Sequence, residues 1–174
     1  MLNLLKIIKR GYKMIELKDV TFENINQILS IKSKFSQRKF VEKAAHTIAM
    51  AYVGINEGYP GFLSAIYSDN VPVGLILIGI APVAEHEPEV LRRYEYVYRI
   101  LGFLIDKNYQ NQGIGKRALK LAIERIKEQQ YEKPLPIALE CHMKNKNALS
   151  LYEFFGFNNI GTTGDNNYIL AQLS

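Results

Sequence analysis

Residues 101–115 read Leu-Gly-Phe-Leu-Ile-Asp-Lys-Asn-Tyr-Gln-Asn-Gln-Gly-Ile-Gly, and their interpretation decides the fold. Leu101, Phe103 and Ile105 recur at every second position, the period of a strand. A polar turn covers 106–112, and Gly113-Ile114-Gly115 opens a long helical pattern. Glycine at such a junction lets the backbone come close to a ligand. The first helical turn leaves N–H groups without intrahelical partners, at the positive end of the helix dipole. Lys116 and Arg117 add formal charge at the same end. The segment predicts a site for the phosphates of a cofactor.

Known phosphate-binding patterns fit it unequally. Gly113-x-Gly115-x-x-Ala118 satisfies the dinucleotide fingerprint, but that fingerprint follows the first strand of a repeated βαβ array. Here it lies two thirds of the way along the chain, with room after it for about one more βαβ unit of roughly 30 residues. A nucleoside-triphosphate P-loop needs Gly five residues before Gly-Lys and Ser or Thr after, whereas this chain has Gln110 and Arg117.

Downstream context separates the readings. Residues 137–141 form a short apolar run, then Asn145 precedes Ala148, Leu151, Tyr152 and Phe155 at spacings of three and four. Asn145 is a suitable N-cap and Gly156 a suitable stop. Gln110-x-x-Gly113-x-Gly115, a helix, a strand, then Asn145-x-x-Ala148-x-x-x-Tyr152-x-x-x-Gly156-Phe157 resembles the second half of a GNAT acetyltransferase core. The resemblance spans residues 101–157. The dinucleotide reading predicts nothing about Asn145 or Tyr152.

The rest of the chain predicts a single α/β domain over 14–174, with a mixed, mostly antiparallel sheet flanked by helices. Thr21 is read as the start of a helix bearing Ile25, Ile28 and Leu29, and residues 38–53 as a second amphipathic helix. The β-rich runs 62–67 and 73–80 flank Ser68-Asp69-Asn70, a hairpin connection. Residues 81–95 read as a loop with one helical turn, and 168–173 as the closing strand.

Composition sets further bounds. The net charge is +5, but Lys6, Lys9, Arg10 and Lys13 lie before Met14 with no acid among them, so one net positive charge remains on 14–174. The domain therefore makes no case for nucleic acid. Residues 1–13 read as a basic extension, against a membrane-surface helix or targeting segment as the alternative, so no stable membrane association is expected. Cys141 is the only cysteine, which suits a reducing, cytoplasmic compartment. No metal site is expected.

The resemblance implies acetyl-CoA as cosubstrate, held in a sheet splayed between the strand of Phe103, Leu104 and Ile105 and that of residues 137–141. It implies that the strand's backbone meets the pantetheine arm. The amides of Gln110, Asn111, Gln112, Gly113, Ile114, Gly115 and Lys116 would hold the pyrophosphate. Asn145 would orient the next helix and bond the pantetheine. An amine would attack directly, a strand N–H would stabilise the oxyanion, and Tyr152 would be the general acid that protonates the departing thiolate. The base stays open: Glu140 and His142 flank Cys141 on one side of a strand, Glu95, Tyr96 and Tyr98 are placed to bound the acceptor pocket, and His86 sits in the acidic loop.

The acceptor is a small-molecule amine in this reading. Gln37-x-x-Phe40-Val41, Ala65-Ile66-Tyr67, Val73-Gly74 and Phe103-Leu104-Ile105-Asp106-x-x-Tyr109-Gln110 resemble the bacterial diamine and spermidine acetyltransferase branch, which acetylates terminal amines. Gly102 departs from that branch, where arginine is common. The acids of 85–95 are expected to draw in a cationic amine. Alternatives are an aminoglycoside, an amino acid, a protein N-terminus or lysine, or a non-catalytic acyl-CoA-binding module. A homodimer is expected by family analogy alone.

Overall fold

The computed structural model describes residues 13–129 and 134–173. Most of the basic extension, residues 1–12, lies outside them. Strand β1 (Ile15–Asp19) leads to a short helix α1 (Ile25–Leu29), a 3-10 turn (Phe35–Gln37) and helix α2 (Ala44–Asn56). Strands β2 (Gly61–Ser68) and β3 (Val71–Pro82) precede β4 (Tyr96–Ile105), which runs into α3 (Ile114–Gln129). Then come β5 (Ile137–His142), α4 (Lys146–Phe154), β6 (Asn158–Thr162) and β7 (Asn167–Gln172). One sheet carries all seven strands in the order β1-β2-β3-β4-β5-β7-β6. Only β4 and β5 run parallel, so the sheet is mixed and mostly antiparallel, as expected.

Helices cover both faces. Ala118, Leu119, Ala122 and Ile126 of α3 recur at helical spacing and bury against Ile76 and Ile78 of β3 and Leu139 of β5. On the other face Ile28 and Ala44 pack on Ala65, Leu75 and Leu104. Because β3 is covered on both sides, it reads as a continuous apolar run. Each large aliphatic side chain buried this way contributes about 1.5–3 kcal/mol.

Several local readings change. Residues 21–24 form a turn in which Thr21 O accepts from Ile25 N at 3.0 Å and Asn24 Oδ1 accepts from Thr21 N at 2.8 Å, so the helix starts later. Residues 38–43 precede α2 instead of belonging to it, which frees Phe40 and Val41 to face the site. The 83–95 loop does hold one helical turn, in which Pro88 O accepts from Arg92 N at 3.2 Å, and is pinned by fully buried Leu91. Strand β6 escapes the pattern because it is a half-exposed edge strand with Ile160 as its single large apolar residue. The hairpin connection is tight: Asp69 and Asn70 take φ of 50° and 68°, the paired left-handed conformation that suits a two-residue turn. Among the described residues no helix is long and apolar enough to cross a membrane.

Candidate functional site

The site begins with a failure of strand pairing. Strands β4 and β5 pair only at Tyr98–Ile137 and Arg99–Ala138. Beyond that point Ile100 faces Ile78 and Gly102 faces Leu77, leaving Leu101 as an extra residue in β4. A bulge bends its strand and increases local twist. The two parallel strands diverge, and a cleft of about 280 Å³ opens between 100–105 of β4 and 140–142 of β5.

The bulge also reverses which side chains face which layer. Tyr98 and Ile100 join the α3 side, and after the bulge Phe103 and Ile105 do so. Gly102 instead faces α2, where a Cβ would stand 2.6 Å from Thr47 Cγ2 and 3.1 Å from its Oγ1. The arginine common here in the polyamine branch does not fit this close approach unless the Thr47 side chain shifts.

At the helix end of the cleft, Asn111 and Gly113 adopt φ of 61° and 70° and turn the chain into α3. The first N–H groups of α3 then lack intrahelical acceptors. A Cβ on Gly115 would meet Phe103 Cζ and Ile105 Cγ1 at 3.8 Å and Leu151 Cδ2 at 3.9 Å, so this glycine leaves a hollow in front of the helix. The Gln110 side chain shapes the turn: its Nε2 donates to Ile105 O at 2.9 Å and to Gln37 Oε1 at 2.8 Å. Of the predicted cofactor-binding residues, only Gln112 and Lys116 stay off the lining of the cleft. Gln112 Oε1 accepts from Lys13 Nζ at 2.6 Å instead, and Lys116 Nζ sits 3.2 Å from the centre of the Phe154 ring.

At the far end, Asn145 Oδ1 caps α4 by accepting from Ala148 N at 3.4 Å. That cap sets the rotation of α4 and puts Tyr152 on the buried face, its ring edge-on to Phe157 at 5.6 Å. Burial raises the pKa of the Tyr152 hydroxyl, and neighbouring Cys141 adds to the rise. Burial also pushes the Cys141 thiol up to about 11. The thiolate is the reactive form, so Cys141 in the folded protein is expected to react with iodoacetamide about 100-fold more slowly than in urea-unfolded chain. Timed alkylation with mass detection checks this, and equal rates would contradict the burial.

Alternation in β5 puts Cys141 with the α3–α4 core and Glu140 and His142 on the opposite side of the sheet, where both line the cleft. Glu140 Oε2 accepts from Asn167 Nδ2 at 3.0 Å, and His142 Nδ1 accepts from Lys144 N at 3.1 Å. The His142 ring lies 4.5 Å from that of Phe40. Glu95, Tyr96, Tyr98 and His86 do not line the cleft. None of the acids of the 85–95 loop lines the cleft: Glu87 is ion-paired with Arg99, and exposed Glu89 lies 4.0 Å from Arg93. The carboxylate lining the cleft from the other side is Glu42. Sequence reading passes over it because its neighbours were placed in a helix. Among the described residues no group of three or more His, Cys, Asp or Glu is placed to hold a metal ion.

Comparison with known proteins agrees with this architecture. The profile of the Acetyltransferase (GNAT) family matches residues 25–157. A probable spermine N(1)-acetyltransferase of Bacillus subtilis subsp. natto is 29% identical over 143 residues, 82% of this chain and 87% of the relative. N-alpha-acetyltransferase 30 of Saccharomyces cerevisiae is 32% identical over 89 residues, 51% of this chain and 44% of that protein. Among solved structures, the PaiA N-acetyltransferase of Thermoplasma acidophilum in complex with coenzyme A superposes with a TM-score of 0.64 at 17% identity, covering 92% of this chain and 99% of that one.

Proposed function

This chain belongs to the acetyltransferase (GNAT) family, and on that footing we propose that its acceptor is the primary amine of a polyamine, spermidine or a diamine. Its acyl donor is acetyl-CoA, which supplies an activated thioester when bound. The cleft suits that donor. It has a helix start preceded by two left-handed residues for phosphates, a hollow at Gly115 that any side chain would fill, and an unpaired edge of β4 for an extended arm.

In this reading the amides of 110–116 hold the pyrophosphate and the backbone of 103–105 aligns the arm. The Tyr152 hydroxyl keeps its proton until a thiolate leaves and then donates it. Glu140 accepts one proton from the incoming ammonium, and the second proton, lost from the nitrogen as the tetrahedral species collapses to amide and thiol, restores Tyr152, so one proton in all is released. Asn145 acts through the helix it caps.

The observation that carries the acceptor is the charge of the cleft. Glu42 and Glu140 line it, and among the described residues no lysine or arginine does. Carboxylates beside the aromatic pair Phe40–His142 suit a cation with a methylene chain. The likeness to a probable spermine N(1)-acetyltransferase over most of the chain supports the same assignment.

Thiol release from acetyl-CoA tests it, with residues 1–174 and a panel of spermidine, spermine, putrescine, aminoglycosides, amino acids and peptides. Saturable release with a polyamine is expected. Saturation with a peptide N-terminus or amino sugar, and none with polyamines, would overturn the acceptor while leaving the reaction class in place.

A further inference from the structure

Helix α2 covers the sheet with one face and leaves the other in water, although its sequence suits burial on both. Residues Ala44–Asn56 include no lysine, arginine, aspartate or glutamate. A surface helix carries charge on its outer side, and one that is apolar all round belongs in an interior. Here Ala44, Thr47 and Ala51 are buried, while Tyr52 is 67% exposed and Ile55 73%. A groove of about 380 Å³ runs beside them, lined by Met50, Val53, Tyr59 and Leu101 among others, with Glu57 as the one charged residue in its wall.

The ends of the helix break a second rule. Lys43 is its N-cap and Glu57 its C-cap. The helix dipole favours an anion at the start and a cation at the end, so both charges are misplaced for a helix standing alone. Among the described residues neither side chain has an ion pair or a hydrogen bond.

We propose that this face is the interface with a second copy of the chain, the two α2 helices packing antiparallel about a twofold axis. Reversal puts Lys43 against the partner's Glu57 at both ends, and the two dipoles then run opposed. It sets the small Ala45 and Ala49 opposite the partner's Ile55 and Tyr52. One surface thus supplies both knob and hollow, as an isologous contact requires. The area suffices. Met50, Tyr52, Val53, Ile55, Tyr59 and Leu101 together expose on the order of 650 Å², at roughly 200 Å² for a free large side chain, against about 800 Å² per partner in a standard interface. Residues 14–174 carry one net positive charge, so long-range repulsion between copies is small.

Sedimentation equilibrium on the full chain tests this, with thermal melting as the check on folding. Wild type is expected at twice the 19.9 kDa of one chain. Tyr52→Glu, a change at an exposed position, should weaken association about 100-fold and leave the melt as it is. Lys43→Glu and Glu57→Lys should each weaken it about tenfold, because like charges then meet at both ends. Mixing those two variants should restore association, since each charge then faces its opposite. Wild type that stays monomeric at about 100 μM would overturn the proposal and leave the face to a different protein or to residues 1–12 of the same chain. A dimer indifferent to Tyr52→Glu, or to both charge reversals, would place the interface elsewhere and overturn it as well.

Discussion

Replacing Tyr152 with phenylalanine is expected to lower kcat by about 10²–10³-fold while acetyl-CoA affinity stays within about twofold. The change removes one oxygen from a residue that is otherwise packing. The ring keeps its edge-on contact with Phe157 and its place in the core that α4 shares with α3, so the fold should be indifferent. The hydroxyl is a different matter. Burial raises its pKa above the ordinary phenol value, so the proton-bearing form persists at every pH where phenols usually survive and beyond. The sign follows: ionisation of Tyr152 should produce no fall in rate up to about pH 10, and the acidic limb should report protonation of the group that takes the acceptor ammonium's proton. A pH–rate profile with separate titration of acetyl-CoA binding checks both statements. Turnover unchanged in Tyr152→Phe would remove the donor role and leave water as the proton source. Affinity falling in step with turnover would recast Tyr152 as a binding residue.

Gly115→Leu is expected to weaken acetyl-CoA binding about 100-fold without destabilising the protein. Most disabling substitutions damage fold and site together, and this one separates them. Gly115 lies in the first turn of α3 with no positive φ to protect, and a Cβ there finds only ordinary contacts at 3.8–3.9 Å. Replacing a helical glycine typically gains about 0.5–1 kcal/mol, so the melting temperature should hold or rise slightly. A side chain at 115 begins against Phe103, Ile105 and Leu151, at the mouth of the hollow in front of the helix start. Thermal melting and calorimetry on the same sample decide it. Normal affinity with a normal melt would mean that the donor's phosphates do not approach this helix closely.

The site shows how unevenly a sequence reports on tertiary structure. Asn145 as cap, Gly156 at φ 81° as stop and Asp69-Asn70 as a left-handed turn could all be read because each role is met within a few residues. The turn into α3 was legible for the same reason, since glycines at a helix start carry their backbone freedom with them. The Leu101 bulge was not. Nothing in the alternation of 101, 103 and 105 marks one residue as unpaired, because a bulge depends on the register of the partner strand. The acidic loop misled because none of its carboxylates lines the cleft, and the pairing of Glu87 with Arg99 is set by tertiary contact. Gln37 and Gln110 are 73 residues apart, and their hydrogen bond leaves no local trace.

By itself, then, the sequence determined the order of elements around the cleft, the turn at 110–116 that leads into a helix start and the placing of Tyr152 on an apolar helical face. These depend on periodicity, capping and backbone freedom, which act over a turn or two of chain. Tertiary structure alone decided where β4 parts from β5, that Arg117 is held by three backbone carbonyls, and which carboxylates line the cleft. Those outcomes turn on packing between segments far apart in the chain, where one side chain's partner is chosen by geometry that no local pattern encodes.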